Sequence, residues 1–117
     1  MKVDELTQIV VEALDDLKAV DVRVIDVREK SNVTDVMVVA TGTSTRHVKS
    51  LADNVVIKVK ENGVTPLGVE GEDVGEWVLV DLADVVVHVL QAEMRDFYQL
   101  EKLWETEPAN RAKLSNA

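Results

Sequence analysis

The chain of 117 residues has no cysteine, which removes disulfides, thiolate metal sites and thiol nucleophiles and leaves nothing to suggest export to an oxidising compartment. Long hydrophobic runs are also missing. The longest, Val36 to Ala40 and Val85 to Leu90 with its His88, fall far short of the roughly 20 residues a membrane-spanning helix needs. The first residues, Met1-Lys2-Val3-Asp4-Glu5, carry neither the basic flank nor the apolar segment of a signal peptide, so a cytoplasmic protein is expected. The most uneven absence is that of positive charge. Between Glu61 and Glu93 there is no Lys or Arg, yet eight of the 22 acids lie there (Glu61, Glu70, Glu72, Asp73, Glu76, Asp81, Asp84 and Glu93); the other 14 face 13 bases. Nearly all of the net charge of −9 therefore belongs to one stretch. Such a surface cannot track phosphates, because nucleic-acid binders draw their affinity from Lys and Arg. Little direct nucleic-acid binding is expected, and a basic partner is.

What is present is the composition of a folded domain: 46% hydrophobic residues, with valine foremost, and 30% charged. The length suits one domain with its own core. Val3, Leu6, Val10, Ala13, Leu14 and Leu17 recur at three- and four-residue spacing and predict an opening amphipathic helix. Val20 to Val27 alternates, which predicts a strand with Val20, Val22, Val24 and Asp26 on one face and Arg23, Ile25 and Val27 on the other. Val36 to Ala40 is apolar on both faces, as in a central strand. Thr41-Gly42-Thr43-Ser44 leads into a second helix buried through Val48, Leu51, Ala52, Val55, Val56 and Val59, with Thr43 or Ser44 as its cap and Asn62-Gly63 as its stop. Strands follow at Thr65 to Val69, Trp77 to Leu82 and Val85 to Leu90. A closing helix is spaced on Leu90, Met94, Phe97, Leu100 and Trp104. The order α-β-β-α-β-β-β-α describes a single α/β domain, a mixed sheet flanked by helices, over residues 1–106, with a polar, mobile tail at 107–117.

Three constellations could carry function. The Gly42 turn presents free helix N–H groups that suit an anion, with Ser44, Arg46 and His47 as a secondary candidate site. It has one glycine and matches no phosphate-loop or dinucleotide fingerprint, and capping is the plainer reading. Arg46 is the odd element there, a cation in a first turn where the helix dipole disfavours it. A strand, a Gly-Ser turn and a helix also suggest nucleotidyl transfer, but that chemistry needs paired carboxylates for divalent metals. The downstream stretch offers Asp53 alone, and Asp81 and Asp84 are three apart and do not share a strand face. The histidines His47 and His88 lack the company a metal site requires; no metal or cofactor is expected. The third constellation is Glu76-Trp77-Val78-Leu79-Val80-Asp81-Leu82-Ala83-Asp84. Alternation places Trp77, Leu79 and Asp81 on one face and Val78, Val80 and Leu82 on the other. Trp77 is either a core residue or an aromatic anchor ringed by charge, as interfaces use.

These residues, in this order, resemble the ribosomal silencing factor family (RsfS, YbeB or Iojap). The likeness runs through Leu14-Asp15-Asp16-Leu17-Lys18, Thr34-Asp35, Ala40-Thr41-Gly42-Thr43-Ser44 with Arg46-His47-Val48, and Ala52-Asp53. It continues through Pro66-Leu67-Gly68-Val69-Glu70-Gly71, Trp77 with Val80-Asp81-Leu82, Asp84-Val85-Val86-Val87-His88-Val89, and Tyr98 with Leu100-Glu101-Lys102-Leu103-Trp104. The resemblance implies a nucleotidyltransferase-like fold without catalytic carboxylates and no enzymatic activity. It implies binding to ribosomal protein fourteen of the large subunit where the small subunit docks, blocking subunit joining and repressing translation when nutrients are scarce. Homodimers are common in the family, and its binding strand matches Trp77, Leu82 and Asp84. The expected partner-binding set is thus Trp77, Asp81, Leu82, Asp84, Glu76 and Glu70, with no catalytic residue. The alternatives are a small nucleotide-acting enzyme using the Gly42 turn and a self-associating module whose Trp77 surface is consumed by a homodimer. Ala83 stands where the family usually has Gly, which strains the turn if that position requires positive φ.

Overall fold

The computed structural model describes residues 1–98, with side chains through Arg95. The eight elements come in the expected order: α1 (Val3–Asp16), β1 (Val20–Asp26), β2 (Val36–Gly42), α2 (Thr45–Glu61), β3 (Gly68–Glu70), β4 (Trp77–Asp81), β5 (Val85–Gln91) and α3 (Ala92–Tyr98). The strands form one mixed sheet ordered β1-β2-β5-β4-β3. Only the β2–β5 pairing is parallel. This agrees with a single α/β domain built on a mixed sheet.

The two faces of the sheet follow from strand parity. Val36, Val38 and Ala40 of β2, Val85, Val87 and Val89 of β5, and Val78 and Val80 of β4 pack against Leu6, Val10, Ala13 and Leu14 of α1 and Val48, Leu51, Ala52, Val55 and Val59 of α2. This is the main core. Each fully buried valine contributes about 1.5–3 kcal/mol relative to exposure. A smaller cluster lies on the opposite face, where Ile25, Val27, Met37, Val39 and Leu90 gather with the partly buried Trp77 and Met94. With both faces covered, all seven residues of β2 are buried, as the lack of alternation predicts.

Helix ends obey local chemistry. The Ser44 hydroxyl accepts the His47 N–H at 3.0 Å and starts α2. Asn62-Gly63 stops it, with Val64 N–H returning to Val59 O at 2.9 Å. Asn54 Nδ2 donates to Ala13 O at 2.7 Å and ties the two helices together.

Two sequence expectations are corrected. Val20 does not share a face with Val22 and Val24. A bulge lies between Val20 and Arg23, with Asp21 in the left-handed region at φ 48°, so Val20 pairs with Thr41 and joins the Arg23 and Ile25 face. Arg95, buried at 6%, holds this bulge by donating to Asp21 O at 2.7 Å and Thr41 Oγ1 at 2.9 Å. Leu90 is the penultimate residue of β5 and not the start of the closing helix, which begins at Ala92. Leu100, Trp104 and the tail expected at 107–117 lie outside the described residues.

Candidate functional site

The β4–β5 hairpin builds the surface that the acidic stretch points to. Its antiparallel register pairs Trp77 with Leu90, Leu79 with His88 and Asp81 with Val86. These six side chains therefore project from the sheet face opposite α1 and α2. Val78 and Val80, between them in sequence, are 0% exposed, whereas Trp77, Leu79, Asp81, Val86 and His88 are half-buried. Glu70 is opposite Leu79 on β3 and belongs to the same face. Glu76 is exposed at the start of β4. Trp77, Asp81 and Glu70 are thus brought together on one face, with Glu76 at its margin.

Leu82 is not among them. It is 5% exposed and packs into the main core below α1 and α2. Strand parity carries through Asp81 to Leu82, so the expectation that Leu82 offers apolar contact to a partner is corrected: the residue anchors the turn from inside. The turn itself is tight. Asp81 Oδ1 accepts the Ala83 N–H at 2.9 Å, Leu82 N–H donates to Val85 O at 2.9 Å, and Ala83 sits at φ 72°. A side chain in this left-handed region is strained, so the alanine at this position carries a backbone cost that glycine would not. Asp84 is exposed. Its carbonyl is a fixed hub that accepts Asp35 N–H at 2.9 Å, Val36 N–H at 3.0 Å and the Thr34 hydroxyl at 3.0 Å.

Two contributors escape a reading of isolated strands. Trp77 Nε1 donates to His88 Nδ1 at 3.1 Å, and the rings lie 5.9 Å apart at 54°. Burial pushes the His88 imidazole down to about 4, so the ring is neutral near pH 7. Gly71, at φ 85°, passes so close to Trp77 that an added Cβ would fall 2.1 Å from the Trp77 carbonyl oxygen. The glycine at the junction of β3 and the acidic loop therefore lets the two backbones approach closely beside the start of β4.

The secondary candidate is closed on itself. His47 Nδ1 accepts the Thr43 N–H at 2.9 Å and its Nε2 donates to Leu17 O at 2.7 Å, so both ring nitrogens are engaged and the ring joins the end of α1 to the start of α2. Ser44 caps α2 as above. Gly42 is needed for packing: a Cβ there would lie 2.6 Å from Val48 Cγ2 and 2.9 Å from Val48 N. Arg46 is exposed and forms no ion pair among the described residues.

Comparison with known proteins bears on the family of this chain. The whole chain, residues 1–117, matches the family described as "Ribosomal silencing factor during starvation". It is 46% identical over 104 residues to a protein of Chromobacterium violaceum named ribosomal silencing factor RsfS, covering 89% of this chain and 85% of that one. A crystal structure of a protein from Chromobacterium violaceum superposes with a TM-score of 0.89 at 45% identity, covering 92% of this chain and 89% of the other. At greater distance, a mouse protein named "Mitochondrial assembly of ribosomal large subunit protein 1" is 36% identical over 87 residues, which span 72% of this chain and 38% of that protein. With the α-β-β-α-β-β-β-α order and the Trp77-to-Asp84 hairpin in place, these matches establish that the chain belongs to the ribosomal silencing factor family.

Proposed function

We propose that this protein regulates translation in the cytoplasm by docking on the large ribosomal subunit, at its ribosomal protein fourteen, and excluding the small subunit. It does so by occupancy and without catalysis. The observation that carries the reading is the common facing of Trp77 and Asp81, an aromatic body and a carboxylate half-buried on the sheet face opposite the two long helices. Such a pairing suits a partner that offers both an apolar pocket and positive charge. Glu70 extends the negative field on the same face, and Glu76 and Asp84 extend it at the ends of β4. The stretch from Glu61 to Glu93 holds no Lys or Arg of its own, and a cation that reaches its loop comes from α2, where Lys49 Nζ donates to Asp73 O at 3.1 Å. Leu82 serves this surface indirectly by holding the turn that presents Asp84.

Membership of the silencing-factor family supports a ribosomal partner, and the name of the mouse relative supports the large subunit in particular. The turn at Gly42 has its polar groups committed to capping and helix tethering, which weighs against nucleotide chemistry there. The test is co-sedimentation with purified large subunits. Wild type is expected to pellet with them, and the folded double variant Trp77→Ala, Asp84→Lys is expected to stay in the supernatant. Undiminished pelleting of that variant refutes the proposed surface.

A further inference from the structure

We propose that His88 is a positioning residue for docking, holding the Trp77 indole in the orientation that the partner meets. The inference rests on the reading of Trp77 as the anchor, and the geometry supports it in three steps. First, the hairpin register makes the two residues diagonal neighbours on one face, because Trp77 is opposite Leu90 and His88 is opposite Leu79. Diagonal cross-strand neighbours are within reach of aromatic side chains. Second, the contact is directional. An indole N–H can only donate, and at 3.1 Å it does so to His88 Nδ1, which must then carry the lone pair and leave the ring proton on Nε2.

Third, the surroundings keep the imidazole in that acceptor form. The residues paired with His88 on the two flanking strands are Val39 and Leu79, both apolar. Neither contributes a charge; Asp81, the other diagonal neighbour on β4, is the carboxylate this register brings alongside, and burial of the ring still holds the imidazolium disfavoured. A neutral histidine in a β-branched strand is an unusual choice for mere packing, since valine fits the strand better. Here the strand loses some packing and gains an acceptor aimed at Trp77. Anchors gain affinity when their rotamer is set before binding, because less side-chain freedom is lost on association.

The test uses the full chain with its tryptophans labelled with 15N, the Trp77 Nε1–H resonance being assigned by its disappearance in Trp77→Phe. His88→Leu is expected to shift that resonance toward that of a free indole, quicken its solvent exchange and weaken large-subunit binding roughly threefold to tenfold, the effect of losing one neutral hydrogen bond. His88→Asn places an amide oxygen near the position of Nδ1 and is expected to restore both resonance and binding to within about twofold of wild type. A His88→Leu variant that keeps the wild-type indole resonance overturns the inference, as does an Asn variant that behaves like the Leu variant. Binding lost in Trp77→Ala but untouched in folded His88→Leu overturns this inference alone. Binding untouched in Trp77→Ala overturns the docking reading, and the inference falls with it.

Discussion

Strand β4 presents two faces made from five consecutive residues, and they have opposite characters. Val78 and Val80 are wholly buried under α1 and α2, surrounded by valine, leucine and alanine. Trp77, Leu79 and Asp81 point the other way, where the sheet is only partly covered and the neighbours include Val86, His88 and Glu70. A face that served only stability would repeat the first pattern. The second places an aromatic, a carboxylate and a histidine side by side, residue types that suit recognition, although Trp77 also packs against the smaller cluster. One strand thus divides its side chains between holding the fold and meeting a partner, and substitutions on the two sides should separate those properties.

The largest separation is expected between Trp77→Ala and Val80→Ala. The first should weaken large-subunit binding by about thirtyfold or more, the hot-spot range, as measured by titrated co-sedimentation; because Trp77 is partly buried against the smaller cluster, it should also lower the unfolding midpoint. The second should lower the midpoint and leave binding by the folded protein nearly unchanged. Leu82→Ala sharpens the boundary between the faces: a residue buried in the main core should cost about 2–5 kcal/mol in urea unfolding, whereas a partner contact in free solution should cost almost nothing.

Acid should act on the Trp77 side through His88. The unfolded histidine protonates near 6.5 and the folded His88 only near 4, so the unfolded chain binds the extra proton within that window. Stability is therefore full above pH 6.5 and falls as pH drops toward 4, by on the order of 3 kcal/mol. Urea midpoints measured from pH 7.5 to 4.5 should show the decline, and His88→Asn should flatten it. Ser44→Ala should cost about 1 kcal/mol through the lost cap and leave subunit binding unchanged; metal-dependent nucleotide turnover by wild type, lost in this variant, would instead favour an enzyme. The smallest effect is expected at Ala83→Gly, which relieves the positive φ and should stabilise the protein by about 0.5–1 kcal/mol in thermal unfolding.

Periodicity was enough to place all eight elements in order because the apolar spacing switches cleanly between helical and alternating patterns along the chain. The opposed facing of Trp77 and Leu82 was readable for the same reason. What a single strand cannot reveal is its register against its neighbour. The Trp77–His88 contact depends on the turn at Leu82–Asp84 fixing Asp81 opposite Val86, after which the diagonal follows. The Val20 bulge was hidden because Val20, Val22 and Val24 alternate in sequence while the backbone inserts a residue at Asp21. The buried role of Arg95 was hidden more deeply, since its partners are a carbonyl in that bulge and a hydroxyl on β2, both set by tertiary structure.

The measurement that bears most directly on the two-faced account is site-specific photo-crosslinking to purified large subunits, with the reactive residue placed once at Glu70 and once at Ile57. Glu70 is exposed on the Trp77 face, and Ile57 is 52% exposed on α2 across the sheet. A covalent adduct with a large-subunit protein from position 70 and none from position 57 is the predicted result. An adduct from position 57 alone would contradict the account.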